Sequence, residues 1–262
     1  MAEYASIADS SKPNAGRIYD FLLGGSHNFE VDRTAAEGIL KVLPFFSQFA
    51  HIIRWFLGEA VRRLASENYR YFLDFASGLP TMDHIHQVAP PDSKVIYSDV
   101  DPITVAYGQE LVKDNPNVRY VVSDAGKAEE VLGSPVVEEM FGSNRRIAIG
   151  FNGISWFLPD DKVGHSLKVL YDWAGSGSKL FLSYFDSESI PKGMDTLVDI
   201  YEKLGQPGYP RTGAKMKELM GGWRILDPGA LPLEEWVDVE KVVAAQSQGL
   251  IGGMLKGVVL GK

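Results

Sequence analysis

The chain has 262 residues, 45% of them hydrophobic and none of them cysteine. That length and apolar content can bury a large core in one α/β domain with an appendage, and the missing thiols exclude disulfides, thiolate zinc sites, iron–sulfur clusters and a cysteine nucleophile. A net charge of −8 gives no overall attraction to a nucleic-acid backbone or an anionic membrane.

The N-terminus has no charged segment leading into an apolar run, and no apolar stretch reaches the ~18 residues of a membrane span. A cytoplasmic protein acting on a small molecule is expected. Residues 1–67 read as a helical cap and residues 68–262 as a sheet-containing domain. Three helices are predicted in the cap. "GRIYDFLLGG" ends in a glycine pair suited to a helix C-terminus, "EVDRTAAEGILKVL" follows, and Pro44 separates it from "FFSQFAHIIRWFLGEAVRRLA". Phe49, Ile52, Ile53, Phe56 and Leu57 give the third helix a broad apolar face that has to be covered.

After Asn68 the texture changes to short β-rich runs: "YFLDFA", "KVIYSDVD", "VRYVVSD", "RIAIGFN", "KLFLSYFD", "GWRILDPG" and "LIGGMLKGVVLG". Helical stretches such as "PITVAYGQELVKDN" and "PDDKVGHSLKVLYDWAGSG" lie between them. The early strands are apolar almost throughout, which suits a parallel sheet covered on both faces and a doubly wound fold.

In such folds ligands lie beyond the carboxyl ends of the strands. The first strand ends in Asp74, Phe75, Ala76, Ser77 and Gly78. Neither the GxGxxG of a dinucleotide fold nor the GxxxxGK of a P-loop is present, so this turn is poorly equipped for phosphates. The second strand ends in Asp99, placed to accept both hydroxyls of a ribose. Asp101 can join it, or can cap the helix that Pro102 begins; that proline also disfavours a DxD pair holding a metal ion. The third strand ends in Asp124 and Ala125, which can meet an adenine or form another helix cap. No metal site is expected, since His84 and His86 are two apart and face different ways on a helix. Acids after three successive strands, with one glycine turn and no phosphate cradle, point to a nucleoside without phosphates, of which S-adenosylmethionine is the obvious case.

"PNAGRIYDFLLGGSHNFEVDRTAAEGIL", "YFLDFASGLPTMDHIHQVA" and "VIYSDVDPITVA" resemble the S-adenosylmethionine-dependent methyltransferase-like family common in actinobacteria, once catalogued as a domain of unknown function. "FLPDD" and "GGWRILDPG" also match, so the resemblance covers nearly the whole chain. It implies a Rossmann-like class I methyltransferase fold: a seven-stranded, mostly parallel sheet with helices on both faces and an N-terminal three-helix cap. The resemblance also makes Asp74 a cofactor-binding residue and places Ala76 and Gly78 at the amino acid end of the ligand, Asp99 at the ribose, and Asp124 with Ala125 at the adenine. Tyr19, Gly24, Gly25 and Asn28 would line the lid side, although Tyr19 can equally be helix packing and the glycines a helix C-cap. Arg17, Asp20, Asp32 and Arg33 can form an ion-pair network that docks the lid. The family usually has glycine where this chain has Ala76, an acid in place of His27, and His where it has Trp156.

A sulfonium leaving group is already activated, so catalysis reduces to alignment and exclusion of water. Asn152, Ser155, Trp156 and Tyr184, together with Tyr19, are the candidates around the reacting centre. None is a strong base, and the aromatic faces suit a cation. Three activities fit: methyl transfer to a small metabolite; closure of the methionine moiety on itself to azetidine-2-carboxylate and methylthioadenosine; or S-adenosylmethionine binding without turnover.

Overall fold

A computed structural model of the chain describes residues 10–190, 196–237, 240 and 253–262; positions 250–252, expected to open the last strand, lie outside them. Helix α1 spans Ala15–Leu22, and Asn14 caps it by accepting from the Gly16 and Arg17 amides. Helix α2 spans Glu30–Val42, with Glu30 and Asp32 in its first turn and Lys41 in its last, all complementing the helix dipole. Helix α3, Phe46–Ser66, buries Phe49, Ile52, Phe56, Ala60 and Leu64, a stripe at the three- and four-residue spacing of one helical face.

The sheet is built from β1 (Tyr71–Phe75), β2 (Lys94–Asp99), β3 (Val118–Val122), β4 (Ala148–Phe151), β5 (Lys179–Phe185), β6 (Arg224–Ile225), β7 (Leu231–Pro232) and β8 (Leu255–Gly261). Its order is β3-β2-β1-β4-β5-β8-β6. The first five strands in that path are parallel, and β8 runs antiparallel to β5. β6 and β7 pair with successive stretches of β8, β6 against Leu260 and Gly261 and β7 against Lys256 and Gly257. The seven-stranded, mostly parallel sheet is therefore present, its last column shared by two short strands. Strand order reverses between β1 and β4, which is where ligands bind in doubly wound sheets.

Helices α4 (Ile85–Val88), α5 (Pro102–Val112), α6 (Glu129–Leu132), α7 (Pro135–Phe141), α8 (Asp160–Trp173), α9 (Thr196–Lys203) and α10 (Gly213–Met220) complete the fold. The cap joins one sheet face: Ile18, Ile39, Phe49 and Phe56 share a core with Phe72, Tyr97 and Phe181. The opposite face carries Leu73, Phe75, Ile149 and Leu182 against α7, α8 and α10. Strand parity thus decides which side chains meet the cap and which meet the far helices. Among the described residues no helix is long and apolar enough to cross a membrane.

Candidate active site

A cavity of about 220 Å³ lies at the strand-order reversal. At one end it is lined by Ala76, Ser77, Gly78, Asp99 and Val100, and at the other by Phe46, Phe49, Trp156, Phe157, Phe185 and Tyr201. Asn14, Ala15 and Gly16 from the start of α1 line it with Gln206, whose carboxamide accepts from the Ala15 amide (3.1 Å) and donates to the Pro13 carbonyl (3.3 Å).

The turn after β1 is fixed from below by buried side chains. The Ser77 amide donates to the Ser98 carbonyl and its hydroxyl to the Asp74 carbonyl. Tyr120 Oη donates to the Gly78 carbonyl. His84 is fully buried; its Nδ1 accepts from the Ile85 amide, so Nε2 carries the proton and donates to the Ser77 carbonyl at 2.9 Å. Burial lowers the His84 pKa well below its ordinary value, keeping the ring neutral. Ala76 sits in this turn at φ +50°, a left-handed conformation that glycine adopts without strain.

Asp99 faces the cavity. Its Oδ2 accepts from the Gly78 amide and its Oδ1 from the Asp101 amide, both at 3.0 Å, and burial pushes its pKa up to about 6. Asp101 is occupied elsewhere. Its Oδ1 caps α5 at the Ile103 amide, while its Oδ2 accepts from Thr104 Oγ1 and from Arg17 Nη1 (2.8 Å). Arg17 Nε in turn meets Asp32 Oδ2 at 2.8 Å. Asp101 is thus a helix cap and a docking point for the cap helices, not a wall of the cavity.

Asp74 and Arg54 line the cavity from opposite partners, the sheet and α3. The Asp74 carboxylate rests over Gly150 of β4, its register partner, where a Cβ would fall 2.1 Å from Oδ1. Only glycine leaves that room. Burial, the largest influence, pushes the Asp74 pKa up to about 7. Arg54 lies over the ring of Tyr19, its Cζ 5.5 Å from the centroid, and Tyr19 Oη is anchored on the Ala50 carbonyl.

Of the other expected residues, Tyr19, Asn152 and Trp156 line the cavity. Asn152 uses its side chain to tie the end of β4 to α3, donating to the Ile53 carbonyl (3.0 Å) and accepting from Ser183 Oγ (2.6 Å). Ser155 is fully buried and donates to the Ser183 carbonyl. Buried Arg211 binds the carbonyls of Ser155 and Leu158, together with Asp160, and so holds the turn that presents Trp156 and Phe157. Tyr184 belongs to the opposite core; parity along β5 turns Phe185 to the cavity instead.

Gly24, Gly25 and Asn28 do not line the cavity. They shape the turn between α1 and α2, where a Cβ on Gly25 would strike the Asp20 carboxylate at 2.1 Å. Asn28 Nδ2 donates to Asp20 Oδ2, and Arg33 reaches the Asn28 side chain and carbonyl. The expected four-residue network is therefore two: Asp20 and Arg33 brace this turn, whereas Arg17 and Asp32 reach the sheet. Asp124 accepts from the Gly126 amide, Lys162 lies 3.5 Å away, and the Ala125 carbonyl accepts from Ser166. Neither Asp124 nor Ala125 lines the cavity, though both follow Val122, which pairs with Asp99.

This sheet order, with its turn and acid at the ends of β1 and β2, defines a class I methyltransferase-like fold. The chain belongs to the S-adenosyl methyltransferase family, whose model matches residues 1–258. It is similar, over 97% of its length and 97% of the other chain, to a Thermobifida fusca protein assigned as a methyltransferase, with 29% identity and a TM-score of 0.85. A DUF574-family protein from Streptomyces avermitilis matches over 97% of this chain and 99% of its own, with 27% identity and a TM-score of 0.88. Magnesium protoporphyrin IX methyltransferase from Synechocystis, at 13% identity, a TM-score of 0.53 and 99% coverage of both chains, shares the fold alone. No curated protein matches the sequence. S-adenosylmethionine is accordingly the cofactor of an enzyme of this family.

Proposed function

We propose that this enzyme transfers the methyl group of S-adenosylmethionine to a small, flat, largely apolar metabolite that brings its own nucleophile. The observation that carries this reading is the continuity of one cavity, with the Gly78 turn and Asp99 at one end and an aromatic wall at the other. S-adenosylmethionine supplies a methyl group on a sulfonium, a leaving group that needs no further activation. The residues supply position. Asp99 accepts the ribose hydroxyls, the turn at Ala76 and Gly78 admits the methionine end, and the adenine extends out of the cavity toward Asp124 and Ala125, which follow Val122, the register partner of Asp99.

The acceptor end offers surface rather than acid–base chemistry. Two tyrosines line it, and burial raises the pKa of both Tyr19 and Tyr201. Neither removes a proton near neutral pH. The wall of Phe46, Phe49, Trp156, Phe157, Phe185 and Tyr201 suits an aromatic ring, excludes water and stabilises the sulfonium by cation–π attraction.

The test is to incubate the purified protein with S-adenosylmethionine, alone and with a panel of hydroxylated and aminated aromatic metabolites, and to follow the products by mass spectrometry. S-adenosylhomocysteine together with a methylated aromatic product supports the proposal. Methylthioadenosine formed without any acceptor would replace it with ring closure to azetidine-2-carboxylate, and binding without turnover across the panel would favour the binding module.

A further inference from the structure

Tyr201, on α9, is 6% exposed and lines the cavity, yet its hydroxyl makes no hydrogen bond among the described residues. Its ring is packed by three others: Phe46, Trp156 and Phe157 lie 6.1, 6.3 and 5.5 Å away, centroid to centroid. The indole N–H of Trp156 has no partner among those residues either. That indole has its place because position 208 is glycine, where a Cβ would fall 2.0 Å from Cζ2, and the Tyr209 amide holds the Trp156 carbonyl at 2.7 Å. A buried donor without an acceptor is unfavourable, and a phenylalanine in place of Tyr201 would fill the same space without that cost. Two donors are thus held at the aromatic end of the cavity with no protein group to receive them.

We infer that Tyr201 docks a carbonyl oxygen of the methyl acceptor, and that this acceptor is a vinylogous acid: a ring hydroxyl conjugated to a carbonyl, as in a hydroxyquinone or a cyclic enolised 1,3-diketone. The inference rests on the methyl-transfer reading above and narrows its acceptor. An indole N–H can only donate, so an ammonium group would leave Trp156 unpaired, whereas a carbonyl oxygen has lone pairs for donors. Burial raises the Tyr201 pKa, so the proton stays on the hydroxyl and is available to donate. The three rings packed on Tyr201 carry no base, so the hydroxyl to be methylated has to lose its proton to solvent before it binds. A simple phenol, with a pKa of about 10 like that of tyrosine, stays protonated near neutral pH. Conjugation to a carbonyl spreads the negative charge over two oxygens and makes the hydroxyl a far stronger acid. One oxygen then takes the Tyr201 hydrogen bond and the other is left free to attack. Its lone pair forms the new oxygen–carbon bond as the carbon–sulfur bond breaks, and that electron pair passes to sulfur.

The test is calorimetric titration of the full chain, loaded with S-adenosylhomocysteine, with 2-hydroxy-1,4-naphthoquinone and with 2-naphthol, which has the same two-ring frame and no carbonyl. The quinone should bind roughly tenfold tighter or more, and the visible band of its oxyanion should shift on binding. Tyr201→Phe keeps the ring and removes the donor; it should weaken quinone binding roughly tenfold and reduce the band shift, with 2-naphthol and S-adenosylhomocysteine affinities within about twofold. With S-adenosylmethionine in place of S-adenosylhomocysteine, the quinone should give its methyl ether, and the variant should raise KM for the quinone more than it lowers kcat. Equal affinity of the wild-type protein for the two probes overturns the inference without any variant having to fold. So does a Tyr201→Phe protein that keeps the preference, or one that loses both probes and S-adenosylhomocysteine in the same proportion, since that marks a structural role. Wild-type protein that binds S-adenosylhomocysteine and neither probe overturns the inference and leaves the S-adenosylmethionine reading standing. Failure to bind S-adenosylhomocysteine overturns both.

Discussion

Arg17 of the cap and Asp101 of the turn after β2 form a fully buried ion pair with Nη1 and Oδ2 2.8 Å apart. Asp32 takes the other side of the same guanidinium, and the Asp101 amide holds Asp99, so a continuous set of bonds runs from α2 to the cavity-facing acid. Removing the arginine leaves two buried carboxylates without their shared counterion. Arg17→Met should destabilise the protein by about 3–5 kcal/mol, read from urea unfolding. It should also weaken S-adenosylhomocysteine binding, because Asp99 loses the support on which its orientation depends. A loss below about 1 kcal/mol would show that the cap does not depend on this pair.

The carboxyl of Asp74 binds its proton more tightly in the folded protein than in the unfolded chain, since burial raises its pKa to about 7, with Arg54 opposing and Asp99 adding to the shift. Its contribution to stability is therefore fully present below the ordinary carboxylate range and is lost as pH rises through about 7. Asp74→Asn should raise the unfolding free energy of the ligand-free protein at about pH 8 by an amount on the order of a few kcal/mol, seen as a higher Tm, with the gain fading toward pH 4. A Tm gain independent of pH would break the link to ionisation.

Ala76 occupies left-handed backbone space at φ +50°. An alanine there is strained by roughly 1 kcal/mol relative to glycine, partly offset because glycine gives the unfolded chain more freedom. Ala76→Gly should be neutral or stabilising by up to about 1 kcal/mol, whereas Ala76→Val should be clearly destabilising, since a β-branched residue tolerates positive φ poorly. Denaturant titration of the two variants checks this; a destabilised glycine variant would show that the methyl group packs usefully.

Parity along β5 separates two neighbours that look alike in sequence. Phe185 lies 4.4 Å, ring to ring, from Trp156 in the cavity wall, while Tyr184 lies in the core on the other face. Tyr184→Phe should leave methyl transfer within about twofold, and Phe185→Ala should lower kcat/KM by roughly tenfold or more through lost acceptor packing. The reverse pattern would put the acceptor on the far face.

The sheet and the three cap helices were legible because each rests on a local signal: strand runs such as "KVIYSDVD", the N-cap at Asp101 before Pro102, and the break at Pro44. The turn at Gly78 and the acid at Asp99 were legible for the same reason, being tied to strand ends. What escaped were roles set by packing between distant segments. Nothing near Arg54 announces that a charge on a largely apolar helix will lie opposite Asp74, and nothing near Tyr184 says which sheet face the cap covers. Gly24, Gly25 and Asn28 look like a ligand loop because they are small and polar, yet their turn is closed by Asp20 and Arg33. Gln206, far along the chain, gives no local hint that it reaches the cap.

Gln206 reaches backbone groups of positions 13 and 15 and not their side chains. The ceiling of the cavity is thus held by a fastening indifferent to the identity of what it holds. The side chain at position 15, which lines the cavity, can be exchanged, and with it the surface shown to an acceptor, while the same two hydrogen bonds keep the cap seated. Acceptor preference and closure are in this sense separable properties of the fold, the first written in side chains and the second in the main chain.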